Sequence, residues 1–211
     1  MASLVSLSDY KTIANISGTA DDARLTIILS AASTFFRRWC GRNEDTGFNT
    51  ATWTEFYDGT GEESIQLREW PITSITSAQL VDDAGALTTL ASTDYRVNLK
   101  TGVLSMLGTT LGRKWVEAGV NGIPTTNFEP SPQWPEGIQN VKVIYVGGYS
   151  TIPSDIQLVV CQMVDTSLAQ AGGNRGMQSE SIGQYSYSRA KWQDVLDANA
   201  LMIAPYRTGG V

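Results

Sequence analysis

Histidine is absent from all 211 residues. Its absence removes serine-histidine-aspartate and cysteine-histidine catalysis, histidine-ligated zinc and most proton shuttling at neutral pH. Cysteine is almost absent as well. Cys40 and Cys161 form no metal-ligand spacing, and both fall in apolar helical patterns, which fits buried thiols in a reducing compartment. Charge is sparse at 17% of residues, and 15 Lys and Arg against 21 Asp and Glu leave a formal charge of −6. A surface that grips nucleic-acid phosphates throughout is not expected from that balance. No apolar run reaches the roughly 18 residues of a membrane span. The opening MASLVSLSDYK lacks the basic start and long apolar stretch of a signal peptide. The expectation is a soluble protein made in the cytoplasm, with no catalytic residues, cofactor, metal or membrane association.

What is present is core-forming material. Apolar residues make up 42% of the chain, enough for one domain with a sizeable insertion. Residues 1–42 have helical periodicity. Ser8 is placed to cap a short helix, and Thr19-Ala20-Asp21-Asp22 resembles a capping box before a longer one. In that second helix Leu25, Ile28, Leu29, Ala32, Phe36 and Trp39 share a face, Arg37 and Arg38 suit the C-terminal end of its dipole, and Gly41 stops it.

From about residue 50 the period changes to that of strands. Thr52–Tyr57 and Ser64–Arg68 flank Asp58-Gly59-Thr60-Gly61, a hairpin signature. Ile75–Val81 and Ala86–Leu90 flank a second turn, and Tyr95–Val97 and Val103–Met106 a third. Asn140–Tyr145 alternates and runs into Gly147-Gly148. Between them, residues 108–137 hold four of the seven prolines. Proline cannot donate to a sheet ladder, so a long loop is expected there, with Trp115, Phe128 and Trp134 packing back on the domain or docking elsewhere.

Helical periodicity returns straight after Pro153 at Ser154-Asp155-Ile156-Gln157, another capping box with Ser154 as the cap, and Ile156, Val159, Val160, Met163, Val164 and Leu168 lie on one face. Asn174–Ser188 is polar and rich in Gly and Ser, a mobile loop or arm whose candidate residues are Asn174, Arg175, Gln184, Tyr185 and Tyr187. A last helix over Lys191–Met202 would turn Trp192, Val195, Leu196 and Leu201 inward before Pro205 ends it.

The expected fold is therefore α+β. Residues 1–42 and 151–211 form a helical bundle, because each presents an apolar stripe that needs a partner. Residues 43–150 form a β-rich, sandwich- or barrel-like insertion. That insertion carries six cations and thirteen anions, against five and three before it and four and five after it. Such a surface either keeps the protein soluble or repels DNA.

Local motifs for chemistry are weak. Asp58-Gly59-Thr60-Gly61-Glu62-Glu63 lacks calcium-loop ligand spacing. Gly172-Gly173-Asn174-Arg175-Gly176 lacks the Gly-Lys-Ser/Thr of a phosphate loop. Glu62/Glu63 and Asp82/Asp83 fall in turns and do not support glycosidase chemistry.

Several segments together resemble the head-tail connector (adaptor, or head completion) proteins of tailed bacteriophages. They are Thr19–Ala23, Phe36–Arg42, Thr54–Gly59, Leu67–Ile75, Val143–Tyr149, Ile152–Asp155, Gly183–Ser188 and Ala204–Arg207, in that order along nearly the whole chain. The stretch at 108–137 is longer than a minimal member needs.

The resemblance implies a structural virion protein of the head-tail neck, assembled in the host cytoplasm. Its partners would be the portal, further copies of itself in a twelve-fold ring, and a tail-side stopper or tail-completion protein. Packaged DNA would pass through without specific binding. Ala204, Pro205, Tyr206 and Arg207 are the candidate contact to portal or neighbouring subunit, Tyr and Arg both being enriched at interfaces. Equally, Tyr206 could pack on its own bundle with Arg207 solvated. The competing classes are a virion carbohydrate-binding or other non-catalytic binding module, invited by six tryptophans, and an enzyme whose pocket needs no histidine.

Overall fold

The computed structural model describes residues 3–107, 133–171, 179–182, 185–188 and 191–207. The chain divides into two compact units, Met1–Asn49 with Tyr149–Val211, and Thr50–Gly148.

The first unit is helical. α1 (Leu7–Ile13) is capped by Ser6, whose hydroxyl accepts the Asp9 N–H at 3.1 Å. The cap is thus two residues earlier than Ser8, which lies inside the first turn. α2 (Asp22–Trp39) starts after Asp21 with no side-chain cap bond. The expected capping box on Thr19 does not form. Asp22 instead accepts the Lys11 ammonium at 2.7 Å, an ion pair that ties α1 to the start of α2.

The far end of α2 follows expectation. Gly41 sits at φ +73°, where a side chain would be strained. Arg42 N–H bonds the Arg37 carbonyl and Gly41 N–H the Arg38 carbonyl, the paired bonds of a Schellman close. α3 (Ser154–Ala171) begins at Ser154 itself. The Pro153 carbonyl accepts the Gln157 N–H at 3.1 Å, so Ser154 is the first helical residue and not the cap.

Leu25, Leu29, Ala32 and Phe36 of α2 pack with Ile156, Val159, Val160, Met163 and Val164 of α3 in one core. Burying each of the larger side chains contributes about 1.5–3 kcal/mol.

The last helix is broken. α4 (Trp192–Ala198) and α5 (Ala200–Ile203) are separated at Asn199, whose side-chain amide donates to the Val195 carbonyl and to Gln162 Oε1. The break resets the helical phase. Ile203 is buried and Leu201, expected inward, is 94% exposed. Pro205 lies in a 3-10 turn, Ala204–Tyr206, that continues from α5.

The second unit is built from strands β1 (Ala51–Gly59), β2 (Ser64–Gln66), β3 (Ile72–Val81), β4 (Leu87–Thr89), β5 (Tyr95–Val97), β6 (Val103–Met106) and β7 (Gly137–Gly147). They make two open sheets, β1-β7-β3-β4 and β2-β6-β5. No closed barrel forms among the described residues. The β3–β4 and β5–β6 hairpins are as expected.

The first expected hairpin is not made. β1 pairs with β7, Thr54 opposite Ile144, while β2 pairs with β6 in the other sheet. The turn at 58–61 is already engaged elsewhere. Gly59 N–H bonds Asn140 Oδ1, and Gly61 N–H bonds the Trp134 carbonyl. A Cβ on Gly59 would stand 1.8 Å from the Pro135 carbonyl oxygen, so only glycine fits there. The core is Trp53, Ile65, Leu67, Leu104, Met106, Trp134, Val141, Val143 and Tyr145. Trp134 thus packs back on its own unit. Trp115, Phe128 and the rest of 108–132 lie outside the described residues.

In place of a wholly irregular arm, Ser179–Ile182 (β8) and Tyr185–Ser188 (β9) pair as an antiparallel two-stranded sheet.

Candidate functional site

The helical unit ends in a small aromatic cluster. Phe36 and Phe48 lie 5.7 Å apart between ring centroids, Phe48 and Tyr149 6.4 Å, Phe48 and Tyr206 6.3 Å, and Tyr149 and Tyr206 6.1 Å. The buried Arg42 guanidinium lies 4.9 Å from the Phe48 centroid, and its Nε donates to the Tyr206 carbonyl at 3.3 Å. Tyr206 O–H donates to Asp155 Oδ2 at 2.6 Å, in the first turn of α3. Burial first, and then that bond, hold the Tyr206 phenol above its ordinary pKa. It remains a neutral donor throughout the physiological range.

The four candidate contact residues therefore divide. Tyr206 is half-buried and committed to its own bundle. Ala204, Pro205 and Arg207 are exposed. Arg207 lies on the outside of Trp39, its guanidinium carbon 4.4 Å from a ring centroid of the indole. That geometry presents a planar cation while covering an aromatic face. Of the candidate arm, Tyr185 and Tyr187 fall within β9. Asn174, Arg175 and Gln184 lie outside the described residues.

A second feature was not anticipated from sequence. The outer side of α2 and the start of α4 form an open groove of about 680 Å³, lined chiefly by apolar atoms. Phe35 and Trp192 close one wall, edge to face with centroids 5.3 Å apart. Ile27, 71% exposed, also lines it. The signal was in the sequence. Ile27, Ala31 and Phe35 recur at four-residue spacing on a face other than the core stripe, but beside a stronger stripe they read as excess.

In the β unit the strongest polar constellation is Glu55, Tyr57 and Tyr145. Both phenols donate to Glu55 Oε2, Tyr145 at 2.7 Å. The same phenol oxygens accept the backbone N–H of Arg68 (3.0 Å) and of Glu69 (3.1 Å). Every atom of the group serves to fix the β2–β3 connection against the first sheet. Burial is the main cause that raises the pKa of both phenols, followed by the Glu55 carboxylate for Tyr57 and by the Tyr57 phenol and then Glu55 for Tyr145.

Among the described residues no three His, Cys, Asp or Glu side chains are grouped as metal ligands, and no helix is long and apolar enough to cross a membrane. Trp53 and Trp134 are buried and Trp70 is half-buried, so the described β unit offers no exposed tryptophan platform for a sugar.

The fold has solved counterparts. A chain in the neck of an empty GTA particle, computed with C6 symmetry, superposes with a TM-score of 0.56 at 16% identity, over 99% of this chain and 91% of that one. A chain in the neck of the native GTA particle, computed with C12 symmetry, gives 0.50 at 15% identity, over 90% and 84%. One from the virion of the native gene transfer agent gives 0.54 at 14%, over 99% and 91%. No curated protein matches the chain. At such identities these likenesses speak for the fold alone. The sequence model of the head completion proteins matches residues 3–117, which includes the whole of α1 and α2 and strands β1 to β6. Spanning more than half of the sequence, that match makes this chain a member of the head completion protein family.

Proposed function

We propose that this protein is the head-tail connector of a tailed-phage-like particle. In this reading it assembles as a ring below the portal, extends the DNA channel and receives a tail-side stopper or tail-completion protein. The observation that carries the reading is the near end-to-end likeness, over 99% of this chain, to a chain from a particle neck, joined to family membership. The C6 and C12 symmetry of the neck reconstructions supports a ring of twelve copies. A formal charge of −6 suits a conduit through which DNA slides without being held. The role requires no catalytic centre.

On this reading Ala204, Pro205 and Arg207 contact the portal or a neighbouring copy, and the hairpin bearing Tyr185 and Tyr187 is the second candidate. The test is titration of purified portal with the protein, read by native mass spectrometry. The expected result is a saturable complex with one copy per portal subunit. One or two copies per ring would overturn the connector role.

A further inference from the structure

A closed ring needs two different faces on each subunit, one donating and one accepting, because head-to-tail contacts are heterologous. We infer that the groove of α2 and α4 is the accepting face, and that its occupant is Leu201 of the next copy of this chain. The inference rests on the ring proposed above and names the contact that would build it.

The chemistry of the groove selects the occupant. Its one cation, Arg38, is already held by Glu44 through two bonds of 2.9 and 2.7 Å. Those bonds keep the Glu44 carboxyl below its ordinary range. The Thr26 hydroxyl is spent on the Asp22 carbonyl at 2.8 Å. The Trp192 indole N–H is spent on the Met163 carbonyl and Ser167 Oγ, at 2.8 and 2.9 Å. A small-molecule site would need converging polar groups, and a nucleic acid or acidic peptide would need several available cations, where the adjoining hollow past Trp192 adds Lys191 alone. What remains is Ile27, Ala31, Phe35 and the indole face, with only the small hydroxyl side chains of Ser30 and Thr34 beside them, a surface that an apolar side chain would complement.

The same chain carries such a side chain. Leu201 is the most exposed of its large hydrophobic residues among those described, at 94%. It projects from α5, where the segment Asn199–Tyr206 holds no charge. Ala200 and Ala204, also exposed, flank it with small side chains that permit close approach. Ile138, 88% exposed, is the alternative knob. It stands two residues from Glu136 and next to Gln139, whose N–H bonds Asp58. Docking Ile138 would carry carboxylates toward the apolar groove, where desolvation opposes them. Leu201 brings none.

Charge exchange tests the pairing. Ile27→Lys and Leu201→Glu are made singly and together, and each is assembled on portal and weighed by native mass spectrometry. Both positions are exposed, so melting temperatures should match wild type, and circular dichroism verifies that each variant is folded. The expected result is that either single substitution weakens ring assembly at least tenfold. The double variant, with opposite charges facing across the contact, should recover to within about threefold of wild type.

Single variants that assemble normally would overturn the groove as an interface. A loss with Ile27→Lys that Leu201→Glu does not repair would overturn Leu201 as occupant and assign the groove to the portal or another protein. A wild-type chain that gives no multi-copy complex would overturn the ring itself, and with it the pairing. A wild-type ring indifferent to both substitutions would overturn the pairing alone.

Discussion

Cys40 and Cys161 are 1% and 2% exposed and form no disulfide with each other. Burial is the main cause that pushes Cys40 up to about 12 and Cys161 up to about 11, from an ordinary value of 9.0. Thiolate is the reactive form, so both are inert in the folded protein at neutral pH. The sign of the linkage follows. The folded state retains these protons above pH 9, where the unfolded chain has released them. The associated stability is therefore complete below pH 9 and is lost as pH climbs toward 11 and then 12. We expect no labelling by a thiol reagent at pH 8 until urea unfolds the helical unit, followed by labelling of two thiols per chain. Prompt labelling of the folded protein would show that the helical core is open. Sequence reached this result because a small thiol inside an apolar stripe has one ordinary fate. It did not reach Arg37, which is fully buried with its Nε on the Gly47 carbonyl at 2.8 Å. A cation near a helix C-terminus suits the dipole whether or not it is covered, so pattern alone does not distinguish the two cases.

Among the elements, α2 and α3 were the most legible, since an 18-residue amphipathic stripe has a period that local sequence carries in full. Leu29→Ala, at 2% exposure, should lower stability by about 2–5 kcal/mol. A urea midpoint equal to wild type would mean that the face of α2 is misassigned. The β elements were legible where a turn dictates the partner. At Asp82–Gly85 the Asp82 N–H bonds the Ala86 carbonyl, and the strands on either side pair. They were illegible where the partner is remote. β1 ends in an equally plausible turn, yet its ladder is made with β7, some ninety residues onward, and no local signal announces that. The groove was missed for a related reason. Whether Ile27 and Phe35 face solvent or core depends on where α4 lies, and the start of α4 follows a segment without periodicity.

For the whole molecule, the C-terminal segment serves stability, beside the contact proposed for it. Deleting residues 204–211 removes the Tyr206 bond to Asp155 and its ring contacts with Phe48 and Tyr149. We expect the melting temperature to fall by about 5–10 °C, at roughly 2–4 °C per kcal/mol for a chain of this size. Arg207→Ala leaves Tyr206 in place and should keep the melting temperature while weakening portal binding. An unchanged melting point for the deletion would mean that Tyr206 is not needed by the bundle. The central position of β7 bears on how the protein is made. Both β1 and β3 take their main-chain partners from a strand that leaves the ribosome after them, and α2 waits longer still for α3. At about 5–20 residues per second, β1 has no ladder partner for several seconds of synthesis, with its edges open to other nascent chains. The non-local order that makes the sheet hard to read from sequence also makes it slow to close. The polysome, before any particle exists, is therefore where this chain is most exposed to aggregation.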